Sequence, residues 1–462
     1  MKRTIVVGLS ILACASACSS KPPPPPVKVA EVPLVLSPVK ASQENEVKTE
    51  TADHEKRLIA KMLKKVVLAR GLQTKAAVPG QVLARKELLD RVRAHVAREV
   101  PKEAIRQEGL VLQLLGFVPP QFDYEKETFA LLEAQLAGFY EPSDKTMYMA
   151  GDLDDDNATA TLAHELVHAL QDQYWDLAKR SAYKPSQGDQ SSATSALAEG
   201  DATSAMIDIM IGDSGKTALD VPEEIFTEQM VASMASGAGA NAPHVMRASL
   251  VAPYIDGTIF VHALRRKGGW AAVNDAWTNA PTTTEQILHL DKYEAHEPAL
   301  EVSTPTVQAL AGVWKVLDSD SYGELGVKLT FAEWMEAAQA KNAAAHWGGD
   351  RGALIVNGEQ YALAWHLRYD LGTKADPNMW AEKAYPPLAA AVEARVGPGA
   401  AKDKSPLLCI ERPALGPLGI MRRGRDLVIV AGPVKIPATG AWTSTADCAT
   451  VKRWMIEIAA NK

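Results

Sequence analysis

The chain has 462 residues, 49 Lys plus Arg against 56 Asp plus Glu, and a formal net charge of −7. At 47% hydrophobic and 23% charged it is globular rather than disordered over most of its length, which suits two or three domains. No apolar run beyond the first twenty residues is long enough to span a bilayer, and the acidic balance excludes a generic nucleic-acid binder.

The first residues read as an address. Lys2 and Arg3 precede an apolar stretch at 4–13 that is too short to span and right for a signal peptide. A small residue directly before a Cys then resembles a bacterial lipobox, in which the Cys is acylated. Two sites compete. Ile11-Leu12-Ala13-Cys14 has the better large residue three before the Cys, and Ala15-Ser16-Ala17-Cys18 the better small residues after it. The four cysteines are Cys14, Cys18, Cys409 and Cys448. A lipid on Cys18 sends Cys14 away with a signal at 1–17 and leaves Cys409 and Cys448 to pair in an oxidising periplasm. The alternative is an ordinary secretory signal cleaved after Ala17. Residues 18–52, with prolines from Pro22 to Pro26, predict an extended tether without helical period.

From 54 to 115 the pattern is mostly helical, with Leu58, Met62 and Val66 on one face and Leu88, Leu89, Val92 and Val96 on another. Residues 129–136 predict a further helix. Residues 138–141 and 146–149 predict two strands around the turn residues Pro142, Ser143, Asp144 and Lys145. The acidic residues from Asp152 to Asp156 read as helix caps, since the spacing and glycine of a calcium loop are absent. Helices are expected at 158–178, 193–211, 223–235, 255–267 and 270–277, with Gly268-Gly269 as a stop. After about residue 302 the texture changes to an α+β module. It has a helix at 331–345, strands at 353–356 and 361–369 around Asn357-Gly358, and a strand at 426–431. Trp347 to Arg351 reads as a turn with a Trp anchor.

The decisive string is His164-Glu165-Leu166-Val167-His168, an H-E-x-x-H on a predicted helix. Four residues advance a helix by about 400°, so the two imidazoles stand one turn apart on one face and can grip one zinc ion. Glu165 points about 100° round the axis, where it reaches a water on the metal rather than the metal itself. It would take that water's proton and pass it to a leaving amine. A catalytic site needs a third protein ligand. The extended pattern with a third His fails, because Gln171 and Tyr174 stand where Gly and His would. Asp172 lies about 12 Å along the axis from His164, too far to join it, but near enough to orient His168. The best remaining ligand is Glu199, in Leu197-Ala198-Glu199-Gly200-Asp201-Ala202. A charge among such small residues is costly unless coordinated.

These segments resemble zinc metallopeptidases of the zincin fold, gluzincin type. His164-Glu165-Leu166-Val167-His168-Ala169-Leu170-Gln171-Asp172-Gln173 and Leu197 to Ala202 are similar, more closely, to a group of uncharacterised bacterial metallopeptidase-like proteins. Residues 137–142 and Thr284 to His289 share that likeness, which covers about 100–370. It implies a zincin fold, His164, His168 and Glu199 as zinc ligands, and Glu165 as the catalytic acid and base. Where many gluzincins place an Asp four residues after the ligand Glu, this chain has Thr203, and Asp201 is expected to point elsewhere.

A peptide substrate is expected to add to an edge strand, for which residues 145–150 are the candidate. An oxyanion donor is sought among Tyr254, His262 and His289, with His289 preferred. The expected fold class is therefore α+β, mainly helical: a zincin-like metallopeptidase domain at 53–300 and a small C-terminal α+β module at 301–462. The expected function is an exported, lipid-anchored peptidase of the cell envelope, facing the periplasm or the cell surface. It would carry one Zn2+ per chain, act on peptides or proteins, meet the membrane only through the anchor on Cys18, and bind no nucleic acid. The alternatives are a non-catalytic zinc-containing lipoprotein that acts as a binding or structural module, and an amidase of peptidoglycan peptides.

Overall fold

The structure, a computed structural model, describes residues 41–235, 241–305, 313–399 and 406–460. The expected signal, Cys18 and most of the tether lie outside these residues. No helix among the described residues is long and apolar enough to cross a membrane.

The first helix, α1 (Ala41–Arg70), starts inside the stretch read as tether. Its early residues lack an apolar stripe but are rich in Glu, Gln, Lys and Ala, which favour helix by propensity alone. Its later turns bury Ile59, Met62 and Val66. A strand not foreseen in the sequence follows, β1 (Gly80–Leu83). Its two apolar residues, Val82 and Leu83, are adjacent rather than alternating. Three helices come next: α2 (Arg85–Glu99), α3 (Lys102–Leu115) and α4 (Tyr124–Gln135). Then the expected hairpin, β2 (Gly138–Glu141) and β3 (Thr146–Ala150), completes a sheet of order β1-β3-β2. β3 pairs in parallel with β1 and antiparallel with β2. The strand expected to be an edge is therefore the central one, and the edges are β1 and β2.

Alternation along this hairpin divides the core. Tyr140 and Met147 face α1 and the next helix, α5 (Asp155–Trp175), whereas Phe139 and Tyr148 face α2 and α4. Both faces of the small sheet are covered, so all of β2 is buried. The short α6 (Leu177–Ser181) leads to α7 (Gly188–Ile211), α8 (Glu223–Ala235) and α9 (His244–Thr278). The expected stop is a break within α9, where Gly268 and Gly269 leave helical geometry. Gly269 has φ 63°, open to glycine at little cost. The helical half ends with α10 (Thr284–Leu288) and α11 (Leu290–Glu294).

The C-terminal part holds β4 (Lys315–Asp320), α12 (Gly323–Phe331), α13 (Ala337–Ala344), β5 (Trp347–Asn357), β6 (Gln360–Tyr369) and α14 (Met379–Val396). It closes with β7 (Leu407–Ile410), β8 (Leu418–Arg423), β9 (Asp426–Lys435), β10 (Thr443–Ser444) and α15 (Cys448–Ile458). The sheet order is β4-β5-β6-β9-β8-β7, with β10 on β9. The helix expected at 331–345 is shorter, forming only α13, and α12 before it was not foreseen; Trp334 and Met335, between the two, are buried in the core. Residues 347–351 are the start of β5 rather than a turn, though Trp347 is fully buried, as an anchor would be. Cys409 and Cys448 form the expected disulfide, tying β7 to the start of α15.

Three carboxylates cap helix starts, where backbone amides lack partners, and one of them, Asp320, crosses between the two halves. Asp320 accepts from the Gly188 amide of α7 at 2.8 Å. Asp189, in the first turn of α7, accepts from the Thr284 amide of α10 at 2.9 Å. Asp350 of β5 accepts from the Tyr322 and Gly323 amides of α12, each at 2.9 Å. Gly323 is required there: a Cβ would stand 1.7 Å from Asp189 Oδ1.

Candidate metal centre

Helix α5 begins with Asp154, whose Oδ1 accepts from the Asn157 amide at 2.8 Å. Asp155 and Asp156 in the first turn suit the positive end of the helix. The acidic cluster thus serves as the cap expected of it. The middle of α5 is buried all round: Leu166, Val167 and Leu170 enter the core shared with α1, while His164, Glu165 and His168 are wholly enclosed. α7 carries Glu199 over α5. It can lie so deep because α7 and α9 meet through glycines. A Cβ on Gly200 would stand 2.1 Å from the Gly257 backbone, and one on Gly257 1.9 Å from Ala196 O.

This packing brings the three expected ligands together. His164 Nε2 lies 3.1 Å from Glu199 Oε2, His168 Nε2 lies 3.5 Å from the same oxygen, and the two Nε2 atoms are 2.9 Å apart. Tetrahedral zinc with bonds of about 2.05 Å sets its ligand atoms about 3.3 Å apart. Two nitrogens and a carboxylate oxygen at these separations suit that donor set, and the buried group of His164, His168 and Glu199 could hold a metal ion.

Electrostatics points the same way. Burial opposes charge on Glu199, yet the adjoining imidazoles prevail and hold its carboxyl down at about 2. Burial lowers the His164 imidazole, while the Glu199 carboxylate outweighs burial at His168 and raises it. Glu165 is pushed up to about 8, chiefly by burial. Its Oε2 accepts from the Tyr140 amide on the outer edge of β2 at 2.7 Å, and its Oε1 is buried without a hydrogen-bond partner.

The surroundings depart from expectation in two places. Asp172 does not orient His168. It accepts from the Tyr140 hydroxyl at 3.0 Å and the Leu177 amide at 2.9 Å, which fixes the turn into α6. Gln171 takes that role, its Oε1 lying 2.7 Å from His168 Nδ1. Asp201 also points toward the site rather than away, accepting from Gln171 Nε2 at 3.2 Å. Gln171 was legible in principle, since it stands three residues after His168 on the same helical face.

Among the donor candidates, the Tyr254 ring lies beside His164 with centroids 5.9 Å apart. His289 is half-buried at the end of α10, where its Nε2 meets Glu324 Oε1 at 2.8 Å. His262 is buried with neither ring nitrogen hydrogen-bonded. Compared with known proteins, the chain matches no family model, no curated protein and no solved structure.

Proposed function

We propose that this chain is a zinc-dependent peptidase of the cell envelope, exported and held by a lipid on Cys18. The observation that carries the reading is Glu165 Oε1, an enclosed carboxylate oxygen with no partner beside a three-donor metal cluster. Such an atom is costly in a site with no other use for it. Zinc, when bound, polarises the scissile carbonyl and lowers the pKa of a coordinated water.

The chain's own residues do the rest. His164, His168 and Glu199 hold the ion. Glu165 takes a proton from the attacking water and returns it to the leaving amine, with the Tyr140 amide fixing one of its oxygens. Tyr254, against His164, is the candidate donor to the developing oxyanion. β2 rather than β3 offers an edge for an extended peptide.

A second reading, a structural zinc in a non-catalytic binding lipoprotein, draws on one observation: all four side chains are buried. Metal analysis with a peptide-library cleavage assay separates the two. The peptidase binds about one zinc, is stopped by chelator, and loses cleavage in Glu165→Gln with zinc retained. Cleavage that persists in Glu165→Gln, or none by the zinc-loaded wild type on protein and muropeptide substrates, rejects it.

A further inference from the structure

His168 can offer Nε2 to a metal only when its proton sits on Nδ1. The atom facing Nδ1 is Gln171 Oε1, at 2.7 Å. An amide may be turned either way, so what holds this one decides the tautomer. Its other end, Nε2, faces Ala198 O at 3.0 Å and Asp201 Oδ2 at 3.2 Å. A carbonyl and a carboxylate accept and do not donate, so the amide nitrogen must point there and the oxygen must face His168.

Asp201 is held in turn by donors beyond it. It is fully buried and receives both Nε and Nη2 of Arg70, the latter at 3.1 Å, with Trp277 Nε1 at 2.8 Å. Arg70 is itself fully buried, lies over the Trp270 ring at 4.5 Å, and donates to Asn274 Oδ1 at 2.9 Å. A buried ion pair often contributes little net stability, and Arg70 Nη1 is buried without a hydrogen-bond partner.

We propose that Arg70, the last residue of α1, is a positioning residue for the metal centre. It acts through Asp201 and Gln171 to keep the proton of His168 away from the ligand cluster. His164 has no such support, for its Nδ1 is buried without a partner. His168 is therefore the ligand whose geometry is set from outside, and the docking of α1 is coupled to metal affinity. This inference rests on the metal-binding half of the proposed function and not on hydrolysis.

The test uses the full folded chain, with zinc affinity measured by competition against a chromophoric chelator and cobalt(II) absorption reporting the ligand field. Gln171→Leu lowers zinc affinity by about 10- to 100-fold, the range for losing a partner just outside a metal site, and alters the cobalt spectrum. Arg70→Gln moves both readouts the same way, and Arg70→Lys, which keeps a cation against Asp201, recovers part of the loss. A role in packing alone would lower the melting temperature and leave the spectrum of the cobalt-loaded protein unchanged. Should Arg70→Gln not fold, Gln171→Leu and Arg70→Lys decide. Wild-type affinity with an unchanged spectrum in both overturns the inference and leaves the peptidase reading intact. Failure of the peptidase reading looks different: zinc bound at full strength with no cleavage.

Discussion

A side chain is informative when its burial has no cheaper explanation, and at the metal cluster that side chain is Glu165. The ligand atoms of His164, His168 and Glu199 face one another, whereas Glu165, which is not among them, leaves one carboxylate oxygen without a partner. The ring beside His164 is that of Tyr254, so the proposed roles of Tyr254 and His289 can be told apart by substitution. Tyr254→Phe is expected to lower turnover by about 100- to 1000-fold with zinc retained, as for loss of one oxyanion donor. His289→Ala, which breaks a pair with Glu324, should leave turnover per folded molecule within a few-fold. Steady-state kinetics with metal analysis on both variants checks this, and the opposite ranking would return the donor role to His289. The ligands and Glu165 were legible because helical spacing puts them together locally, and Glu199 because its small neighbours made a free charge implausible. Arg70 was not legible: 131 residues separate it from Asp201, and no local period reports so distant a pairing.

Length alone did not decide which elements were legible: the four-residue β2 was foreseen beside its turn residues, whereas the four-residue β1 and the 18-residue α14 were not. The hairpin and α5 follow from turn residues and caps, and without β1 the sequence could not show that β3 is central. Helix packing is different, because its signal is the absence of side chains. Gly200 and Gly257 let α7 sink against α9. Gly200→Ala must push two backbones apart and should cost about 1–3 kcal/mol or more, read by denaturant unfolding, with zinc affinity falling as Glu199 shifts. The start of α7 carries a second consequence. Burial, with Asp350 and Asp320 adding to it, pushes Asp189 from its ordinary 3.8 up to about 7. A folded pKa above the unfolded one means a contribution to stability that is full below about pH 4 and lost as pH rises through about 7. The wild type should therefore lose stability relative to Asp189→Asn between about pH 4 and 7, by at most about 1.4 kcal/mol per pH unit. Parallel curves from urea melts across that range would show that Asp189 is not the group responsible.

At the scale of the whole molecule, the change of texture near residue 302 marks where the second sheet begins, but not where folding independence begins. Leu110, Val111, Leu114 and Leu115 of α3 are buried in one core with Phe331, Trp347 and Trp365. Arg412 reaches back to the C-terminal end of α3, donating to Leu114 O at 2.8 Å. Asp320 caps the helix that carries Glu199. Composition cannot reveal such sharing, because an apolar stripe on α3 reads the same whichever half it packs against. The consequence is that the metal centre depends on the C-terminal module although no ligand comes from it. A chain ended at residue 300 would expose those α3 side chains and leave the Gly188 amide without its carboxylate. It should bind a hydrophobic dye, melt without a sharp transition and take up zinc far more weakly than the full chain. A fragment of residues 53–300 that melts cooperatively and binds zinc at full strength would show instead that the helical half is an autonomous domain, with the shared core an interface between two stable units.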